Sequence, residues 1–421
     1  MNPIGVSNKF FYYTSSGKGA SFNIAVRVNL CHPLDRTALL KASQEALKEF
    51  HGFSVRPVVH NNRFFFTDNN LPPVLFEDDG TAHCFGSDET NGHLFFLACG
   101  QEHFTLSFWH GMADTAGANY LLMSILKHYA EFTGGTSSLP DRFSVNPDSL
   151  VKDPYTLFSD PKNSTQASDS PSAFVIPEPQ FPADSDAIYN YSVKTDLADF
   201  AALTKKLKVS FVPLLAYVVS GAIHDSYDTG GLPVTAMVPV DLRRLYGIET
   251  ADNFSDGILL PIHDASGKPE DICPALYEAM HQNISRENFD KVIYGKCFAV
   301  GKFEADTMPA AELARNLTRP LPPGAKKPVT YALTYPGRED FSAFFPGTVK
   351  SRDFFGMARA FFVVAYASGS EFILRIGQRF RKSVIAENIV SRLEKAGLSG
   401  RLEDEGLFTG SSLIIEKLEN A

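Results

Sequence analysis

The sequence lacks the motifs that mark several large classes of enzymes and binding proteins. It has no Gly-x-Gly-x-x-Gly, phosphate-cradling Gly-Lys-Ser/Thr, His-Glu-x-x-His or nucleophile-elbow serine motif, which removes the commonest nucleotide, metal and serine-hydrolase interpretations. The net charge of -9 and the pI of about 5.7 argue against a nucleic-acid partner, because phosphate binding needs a basic surface. We therefore expect no metal site, no permanently bound cofactor and no nucleic-acid partner.

Long hydrophobic runs and paired cysteines are also absent. The longest apolar run, residues 211–223, is about half of the roughly 20 residues that span a membrane, and Pro213 lies in it, so we expect a buried helix with the proline in its first turn. The N-terminus lacks the apolar core of a signal peptide. The five cysteines are scattered without a Cys-x-x-Cys pair, which suits a reducing compartment. These features predict a cytoplasmic protein without a membrane span.

The sequence does contain apolar material for two packed interiors. Its 421 residues are many for one core, and 44% of them are hydrophobic and 12% aromatic. From residue 134 to about 186, Ser, Pro, Asp and Asn dominate and the hydrophobic periodicity is lost, which is typical of a connection between lobes. We therefore predict a first lobe over residues 1–150, a linker over 151–186 and a second lobe over 187–421.

Both lobes show alternating strand and helix signals. In the first lobe, residues 21–30 alternate as a half-buried strand, Asp35 caps the next helix, and two strands flank a turn at residues 60–62. In the second lobe the signals fall at residues 188–193, 197–207, 211–223, 234–240, 358–367, 371–380 and 384–396. Each lobe thus runs strand, helix, strands, helix, which indicates an α/β organisation.

One short segment, His110-Gly-Met-Ala-Asp114, ends a strand-like run and leads directly into an amphipathic helix over residues 116–129. The spacing is not specific, because the chain has eleven histidines and a second match at His224 and Asp228. His224 ends an apolar helix-like run and leads into a glycine turn, with no strand in front. At His110 the hydrophobic period changes from two to about 3.6. The context, rather than the spacing, makes His110 the candidate.

A histidine in this position suits general-base chemistry. The unperturbed imidazole pKa of about 6.5 lies near working pH. Phe104, Leu106 and Phe108 share one strand face with His110, and apolar surroundings favour the neutral ring. The alternative is a core histidine whose ring is satisfied by a backbone carbonyl.

The strand, His110, Asp114 and the helix resemble the active-site motif of the acyltransferases related to chloramphenicol acetyltransferase and to peptide-synthetase condensation domains, and the closest likeness is to the alcohol-acyltransferase-like branch. The resemblance implies an α/β fold of two chloramphenicol-acetyltransferase-like sandwich lobes, joined by a crossover linker, with the active-site tunnel between them. It implies a CoA-dependent O- or N-acyltransferase that moves an acyl group from a CoA thioester, its cosubstrate, to an alcohol or amine, with His110 as general base. A condensation-type enzyme that takes its donor from a carrier protein, and a non-catalytic binding or scaffold member of the fold, are the alternatives.

Further residues match this family in part. A buried carboxylate at Asp114 needs a cation, and the resemblance offers Arg243 at the end of a later strand, as a structural pair that fixes the histidine loop. The segment after Arg243 resembles the family's Gly-Asn-Phe, with Asp252 at the glycine position and Asn253 expected to fix the loop that lines the tunnel. Ser255 is a candidate hydrogen-bond donor to the oxyanion, or a simple turn residue.

Two departures from the family lie beside the motif. The family often has a second histidine before the catalytic one and a glycine after the aspartate, and this chain has Trp109 and Thr115 there. Strand alternation points Trp109 away from the face of His110. Thr115 places a β-branched side chain at a candidate tunnel position, which leaves open the acceptor and whether the site is active.

The residues that bind the donor are not identified by any motif. Coenzyme A carries several phosphates, so an acidic chain must supply a local cationic patch. Two basic stretches are candidates, and the alternative for each is a solvated surface: Arg315, Arg319, Lys326 and Lys327, and Arg375, Arg379, Arg381 and Lys382.

Overall fold

The structure, a computed structural model, describes residues 4–16, 22–61, 63–143, 145–164, 172–182, 185–319, 326–337, 340–356 and 361–413. In these ranges the helices are α1 (Val6–Thr14), α2 (Arg36–Glu49), α3 (Thr115–Phe132), α4 (Pro154–Phe158), α5 (Leu197–Leu207), α6 (Phe211–Ser226), α7 (Arg243–Tyr246), α8 (Pro269–Asn283), α9 (Arg286–Ala305), α10 (Ala310–Thr318), α11 (Phe341–Phe344) and α12 (Val384–Lys395). The strands are β1 (Asn23–Leu30), β2 (Val55–His60), β3 (Arg63–Asp68), β4 (Leu75–Glu77), β5 (Cys84–Phe85), β6 (Phe95–Cys99), β7 (His103–Trp109), β8 (Ala187–Asp196), β9 (Val234–Asp241), β10 (Ser255–Ile262), β11 (Tyr331–Thr334), β12 (Val349–Gly356), β13 (Phe361–Ser368), β14 (Glu371–Gln378), β15 (Arg401–Thr409) and β16 (Ser412–Leu413).

Two mixed sheets organise the chain. The first sheet has the strand order β12-β1-β7-β6-β4, and its apolar face shares a core with α2 and α3. The second sheet has the order β10-β9-β11-β13-β14-β8-β15 and shares a second core with α5, α6 and α12. An α/β fold with two lobes was predicted from the sequence, and the structure confirms it.

Strand β7 and helix α3 form where the sequence predicts a strand and an amphipathic helix. Phe104, Leu106 and Phe108 alternate into the core of the first sheet, while Thr105 and Ser107 lie on its other face. Asp114 is the N-cap of α3, and its side chain accepts from the Gly117 N–H at 2.8 Å. Because the cap fixes where the helix begins, α3 starts at residue 115, one position before the predicted range.

The apolar run in the second half forms a core helix, as predicted. Residues 211–223 make up most of α6, whose side chains are almost all buried, and Pro213 lies in its first turn. No single helix of the described ranges is long and apolar enough to cross a membrane. Helices α5 and α6 pass that test only as a pair, and they meet at a bend of 101°.

The two halves of the chain are interlocked. Strand β12, far into the second half, pairs antiparallel with β1 and completes the first sheet at that edge. Strand β16 makes a similar crossing and pairs in parallel with β5. The lobe boundary at residue 187 therefore stays a prediction, and the first sheet contains a strand from beyond it.

Several elements were not predicted, and three of them show why. Helix α4 lies inside the predicted linker, where Tyr155 is fully buried and the helix contacts α9. Helix α1 has only nine residues, and Tyr12 and Tyr13 near its end are buried. Strand β15 carries several charged residues and lies at an edge of the second sheet, so it lacks the apolar alternation of an inner strand. Of the strand predicted over residues 358–367, residues 358–360 lie outside the described residues, and the rest belongs to β13.

Candidate active site

His110 lies one residue beyond the end of β7, at the start of the loop that leads to α3. Its backbone N–H donates to the Phe22 carbonyl at 2.9 Å, which continues the pairing of Trp109 with Asn23 in the neighbouring strand. The side-chain amide of Asn8, in α1, donates to the Gly111 carbonyl at 2.6 Å. The histidine loop is thus fixed by β1 on one side and by α1 on the other.

The hydrogen bonds of the imidazole determine its tautomer. Nδ1 lies 3.1 Å from the Ala113 carbonyl oxygen and 3.1 Å from Nδ2 of Asn253. The carbonyl can only accept, so Nδ1 carries the proton, and the Asn253 amide donates instead to the His110 carbonyl at 3.0 Å. In the described ranges no hydrogen bond engages Nε2, which therefore keeps its lone pair available as a base.

Two aromatic rings form an apolar wall against the imidazole. The ring centroid of Phe11 lies 4.9 Å from that of His110, with 27° between the planes, and Phe22 lies at 4.8 Å and 37°. Their own centroids are 6.0 Å apart, so they cover adjacent parts of the imidazole rather than its two opposite faces. Phe11 belongs to α1, so no sequence pattern could place it here.

The surroundings of His110 favour the neutral ring. The side chain keeps some accessible surface although protein atoms surround it densely. Burial lowers the pKa of the His110 imidazole below its usual value of 6.5, and the negative charge of Asp114 opposes this shift without reversing it. A ring that is unprotonated at Nε2 near neutral pH is the form that a general base requires.

Asp114 pairs with Arg243, and no hydrogen bond joins its carboxylate to the imidazole of His110. Nη1 and Nη2 of Arg243 lie 2.9 and 2.8 Å from the two oxygens of the Asp114 carboxylate, and the backbone N–H of Phe254 donates to it at 2.9 Å. Burial alone raises the pKa of Asp114, but the charge and the hydrogen bonds of Arg243 more than offset this and hold the pKa below its usual value. Asp114 is therefore a buried, fully paired anion at neutral pH.

Arg243 uses all five of its N–H donors. Besides Asp114, the guanidinium donates to the Asp241 carboxylate at 2.9 Å and to the carbonyls of Thr250 and Asp252 at 2.9 and 2.7 Å. Helix α3 approaches this loop closely at Gly117, where a Cβ atom would lie 2.2 Å from the carbonyl oxygen of residue 251. The ion pair thus clamps the start of α3 to the loop that carries Asn253.

The structure also places the remaining candidates from the sequence. The hydroxyl of Ser255 donates to Oδ1 of Asn253 at 3.1 Å, so its proton is engaged by the amide that contacts His110. Thr115 is the first residue of α3 and is partly exposed, directly after Asp114. One network of contacts therefore links five of the candidates, with Thr115 beside it: His110, Asp114, Arg243, Asn253 and Ser255.

The two basic stretches differ in their availability to phosphates. In the second stretch Arg375 and Arg379 are buried, where Nη1 of Arg375 lies 3.0 Å from Glu405 and Arg379 donates to the Pro182 carbonyl at 2.6 Å. Arg381 and Lys382 of the same stretch are exposed. The other stretch is exposed at Arg315, Arg319, Lys326 and Lys327, and residues 320–325 between them lie outside the described residues. Among the residues that the structure describes, no group of three or more His, Cys, Asp or Glu is arranged to hold a metal ion.

A partly buried cluster of Lys296, Asp256 and Tyr155 near the site had no signal in the sequence. Nζ of Lys296 lies 2.7 Å from the Asp256 carboxylate and 3.0 Å from the Tyr155 hydroxyl, which in turn donates to the Ser255 carbonyl at 2.8 Å. The charge of Lys296 contributes to the lowered pKa of His110. A lysine on a helix is ordinarily solvated. The sequence therefore gave no reason to single out Lys296, and only its contact with Tyr155, in the segment predicted as a linker, shows that it lies near the site.

Comparisons with known proteins give structural matches alone. No protein-family model matches the sequence, and no curated protein sequence matches it significantly. Among solved structures, the chain is similar to polyketide synthase associated protein 5 from Mycobacterium tuberculosis, with a TM-score of 0.59 and 11% identity over 94% of this chain and 99% of that one. It is similar to F. graminearum TRI101 in complex with ethyl coenzyme A, with a TM-score of 0.62 and 10% identity over 94% and 98%.

A third match is the starter condensation domain of rhizomide synthetase RzmA, in a variant complexed with C8-CoA. The TM-score is 0.62, with 11% identity over 94% of both chains. Each of these matches spans nearly the whole of both chains, so the chain has the two-lobed α/β fold of these proteins.

Proposed function

We propose that this protein transfers an acyl group from a coenzyme A thioester to an alcohol or amine, with His110 as the general base. The observation that carries the proposal is the imidazole itself, whose Nδ1 is held by the Ala113 carbonyl while Nε2 is unengaged by any described residue. The fold supports the choice of donor, because matched structures were solved with ethyl coenzyme A and with C8-CoA. The resemblance of the His110 segment to the alcohol-acyltransferase-like branch supports the choice of acceptor.

The reaction uses one proton shuttle. Nε2 of His110 takes the proton of the acceptor O–H or N–H as its oxygen or nitrogen attacks the thioester carbonyl carbon. The tetrahedral intermediate collapses as the C–S bond breaks, and the imidazolium returns the proton to the departing thiolate. The products are the ester or amide and free coenzyme A, and His110 ends the cycle neutral. The apolar wall of Phe11 and Phe22 keeps water from one side of the ring.

The neighbouring residues act through His110. Asn253 holds the His110 carbonyl, and Asp114 with Arg243 fixes the loops on which both residues lie, so we assign all three a positioning role. Ser255 orients the Asn253 amide, and it can serve the oxyanion only by giving up that hydrogen bond. Thr115, at the first turn of α3, is proposed as a tunnel residue between the lobes that limits the shape of the acceptor.

A thiol-release assay tests the proposal. The wild type is supplied with a panel of acyl-coenzyme A donors and of alcohols and amines, and we expect release that requires both substrates and is lost in His110→Ala. His224→Ala is the matched control, because it removes the histidine of the second His-x-x-x-Asp segment. Turnover that survives His110→Ala contradicts the assignment of the base.

The same assay separates the two alternatives. Condensation domains are among the matched structures, so a carrier-bound donor remains the second candidate. Turnover with phosphopantetheinyl-carrier thioesters, but not with coenzyme A thioesters, favours that candidate. No turnover with either donor, together with no thermal shift by coenzyme A, favours a non-catalytic binding or scaffold protein of this fold.

A further inference from the structure

Lys296, in the middle of α9, has an enclosed ammonium group, and its side chain is only 10% exposed. Its Nζ lies 2.7 Å from the Asp256 carboxylate and 3.0 Å from the Tyr155 hydroxyl oxygen. The same nitrogen lies 4.4 and 5.1 Å from the ring centroids of Tyr155 and Phe10. A lysine on a helix ordinarily keeps its charge in water, and moving that charge out of water costs free energy. The enclosed position of this lysine therefore calls for a function.

A continuous chain of hydrogen bonds connects Lys296 to the loop of His110. The Tyr155 hydroxyl, which accepts from Nζ of Lys296, donates to the Ser255 carbonyl at 2.8 Å. The Ser255 hydroxyl donates to Oδ1 of Asn253 at 3.1 Å, and Nδ2 of Asn253 donates to the His110 carbonyl at 3.0 Å. Because each step is a hydrogen bond, the position of the ammonium group helps to fix the loop that carries the imidazole.

Lys296 also brings a positive charge near the imidazole. Burial is the main cause of the lowered pKa of His110, the charge of Asp114 opposes it, and the charge of Lys296 lowers the pKa further. Asp114 is paired with Arg243, and Lys296 is paired with Asp256. The histidine is thus influenced by one member of each of two ion pairs, and the two influences have opposite signs.

The other ionisable groups on the elements around His110 have partners of their own within the described ranges. These groups are Lys9 and Tyr13 with Glu304, Arg27 with Asp78, Asp153 with the Val6 N–H, Asp252 with the Asp153 N–H, and Cys297 with the Tyr155 carbonyl. Burial raises the pKa of Asp252 and of the Cys297 thiol, which favours their neutral forms. Since none of these partners is Lys296 or His110, replacing Lys296 changes a single local charge.

We propose that Lys296 is a positioning residue for His110, which fixes the histidine loop through Tyr155 and places a positive charge near the imidazole. This inference rests on the proposed function, because a general base must be unprotonated to accept a proton and gains from a charge that disfavours the imidazolium. The charge state of the imidazole can be measured without any substrate, so the role of Lys296 is tested separately from acyl transfer.

The titration of His110 in the full chain, followed by NMR with ¹³C-labelled histidine and assigned with His110→Ala, tests the charge. In Lys296→Met the pKa of His110 should rise, because the change removes a positive charge and leaves the negative charge of Asp256 uncompensated. Lys296→Arg keeps the charge and should titrate like the wild type. The matched control is Lys291→Met, the same change in the same helix at a lysine paired with Glu287, which should leave the pKa of His110 unchanged.

A double variant separates the charge of Lys296 from its packing. Lys296→Met combined with Asp256→Asn removes both members of the ion pair, so the pKa of His110 should lie above that of the wild type and below that of Lys296→Met. A role in packing alone predicts a shift in the double variant that is at least as large as in Lys296→Met. If Lys296→Met does not fold, the double variant carries the test against the wild type.

The thiol-release assay then connects the charge to the reaction. A higher pKa of His110 means that the ring stays protonated to higher pH, so the acid limb of kcat/KM should move to higher pH in Lys296→Met and not in Lys296→Arg or Lys291→Met. At the optimum, kcat should fall by less than roughly 100-fold, the cost of a misplacement of about 1 Å.

The two measurements fail in different ways. A wild type that shows no turnover contradicts the proposed function, while the titration still decides whether Lys296 acts on His110. A pKa of His110 that does not rise in Lys296→Met, or that rises equally in Lys296→Arg or Lys291→Met, overturns the role of Lys296 even where His110→Ala abolishes turnover.

Discussion

The chain contains two His-x-x-x-Asp segments, and the structure gives them opposite surroundings. His110 follows a strand and Asp114 caps the next helix, where the carboxylate is buried against Arg243. His224 lies in the last turns of α6, and its Nε2 is 3.1 Å from the Ile262 carbonyl. Asp228 is exposed, and its carboxylate accepts from the Gly230 N–H at 2.9 Å within a turn.

The two segments differ in which imidazole nitrogen is bound by a backbone carbonyl. They also differ in whether the carboxylate is buried and so needs a cation. At His110 a carbonyl three residues ahead takes Nδ1, so Nε2 is left without a described partner. At His224 a carbonyl from another strand is at Nε2, the nitrogen that a base would need. The buried Asp114 requires a cation, and Arg243 from the other half of the chain supplies it, whereas a solvated carboxylate needs none. The same spacing therefore places the proposed base at His110 and only the end of a helix at His224.

The largest expected contrast is in activity. His110→Ala should lower thioester turnover by about 100- to 10,000-fold, the usual contribution of a general base, when thiol release is measured with the best donor and acceptor. His224→Ala should leave the rate unchanged and lower the free energy of unfolding by about 0.5–1.5 kcal/mol, because it loses one hydrogen bond. Equal losses of activity in the two variants would break the comparison.

The second contrast is in stability. Asp114→Asn should lower the free energy of unfolding in urea by roughly 3–5 kcal/mol, because it leaves the buried Arg243 without its main counter-charge. Asp228→Asn should change it by less than about 0.5 kcal/mol, because the residue is exposed and an amide oxygen can still accept from Gly230. If Asp114→Asn leaves the free energy of unfolding unchanged, the ion pair with Asp241 is enough to compensate the charge of the buried Arg243 guanidinium.

The third prediction concerns the hydrogen bonds of Asn253 and Ser255 that hold the loop of His110. Asn253→Ala should reduce kcat by roughly 100-fold, because the loss of its hydrogen bond to the His110 carbonyl lets the histidine loop shift. Ser255→Ala, which keeps Asn253 but removes the hydroxyl that orients it, should have a smaller effect on kcat. A Ser255→Ala variant that is more impaired than Asn253→Ala would favour the oxyanion role for Ser255.

The smallest expected effect is a shift of the pH profile. Burial lowers the pKa of His110, so the neutral base persists to lower pH and the acid limb of kcat/KM should have its midpoint below 6.5. The limb should be unchanged in His224→Ala, which serves as the control. A midpoint at or above 6.5 in the wild type would contradict the apolar environment that we describe.

Local signals predicted the strand, the loop and the helix around His110, since each depends on residues close in sequence. The change of period at His110 is visible in the sequence, whereas the capping of α3 by Asp114 was recognised only in the structure. The contact of Asp114 with Arg243 was expected only through a family resemblance, because a side-chain pair 129 residues apart leaves no trace in periodicity.

The features that were not predicted depend on packing between distant segments. Phe11 and Phe22 are ordinary apolar residues until α1 and β1 bring them to the imidazole. Tyr155 and Lys296 lie in a segment predicted as linker and on a polar helix, and only their mutual contact makes them part of the site's surroundings. The origin of β12 was likewise hidden, because its pairing with β1 is a property of the whole fold.

The crossing of β12 also sets an order of events during synthesis. Asn29 in β1 and Ser351 in β12, which are hydrogen-bonded partners, are 322 residues apart. At roughly 5–20 residues per second, the ribosome makes β12 tens of seconds after β1. Until then β1 is an unpaired edge next to β7, with free backbone groups that can join another chain. A nascent or truncated chain that ends before residue 349 is therefore the species in which aggregation, or the need for a chaperone, should be greatest.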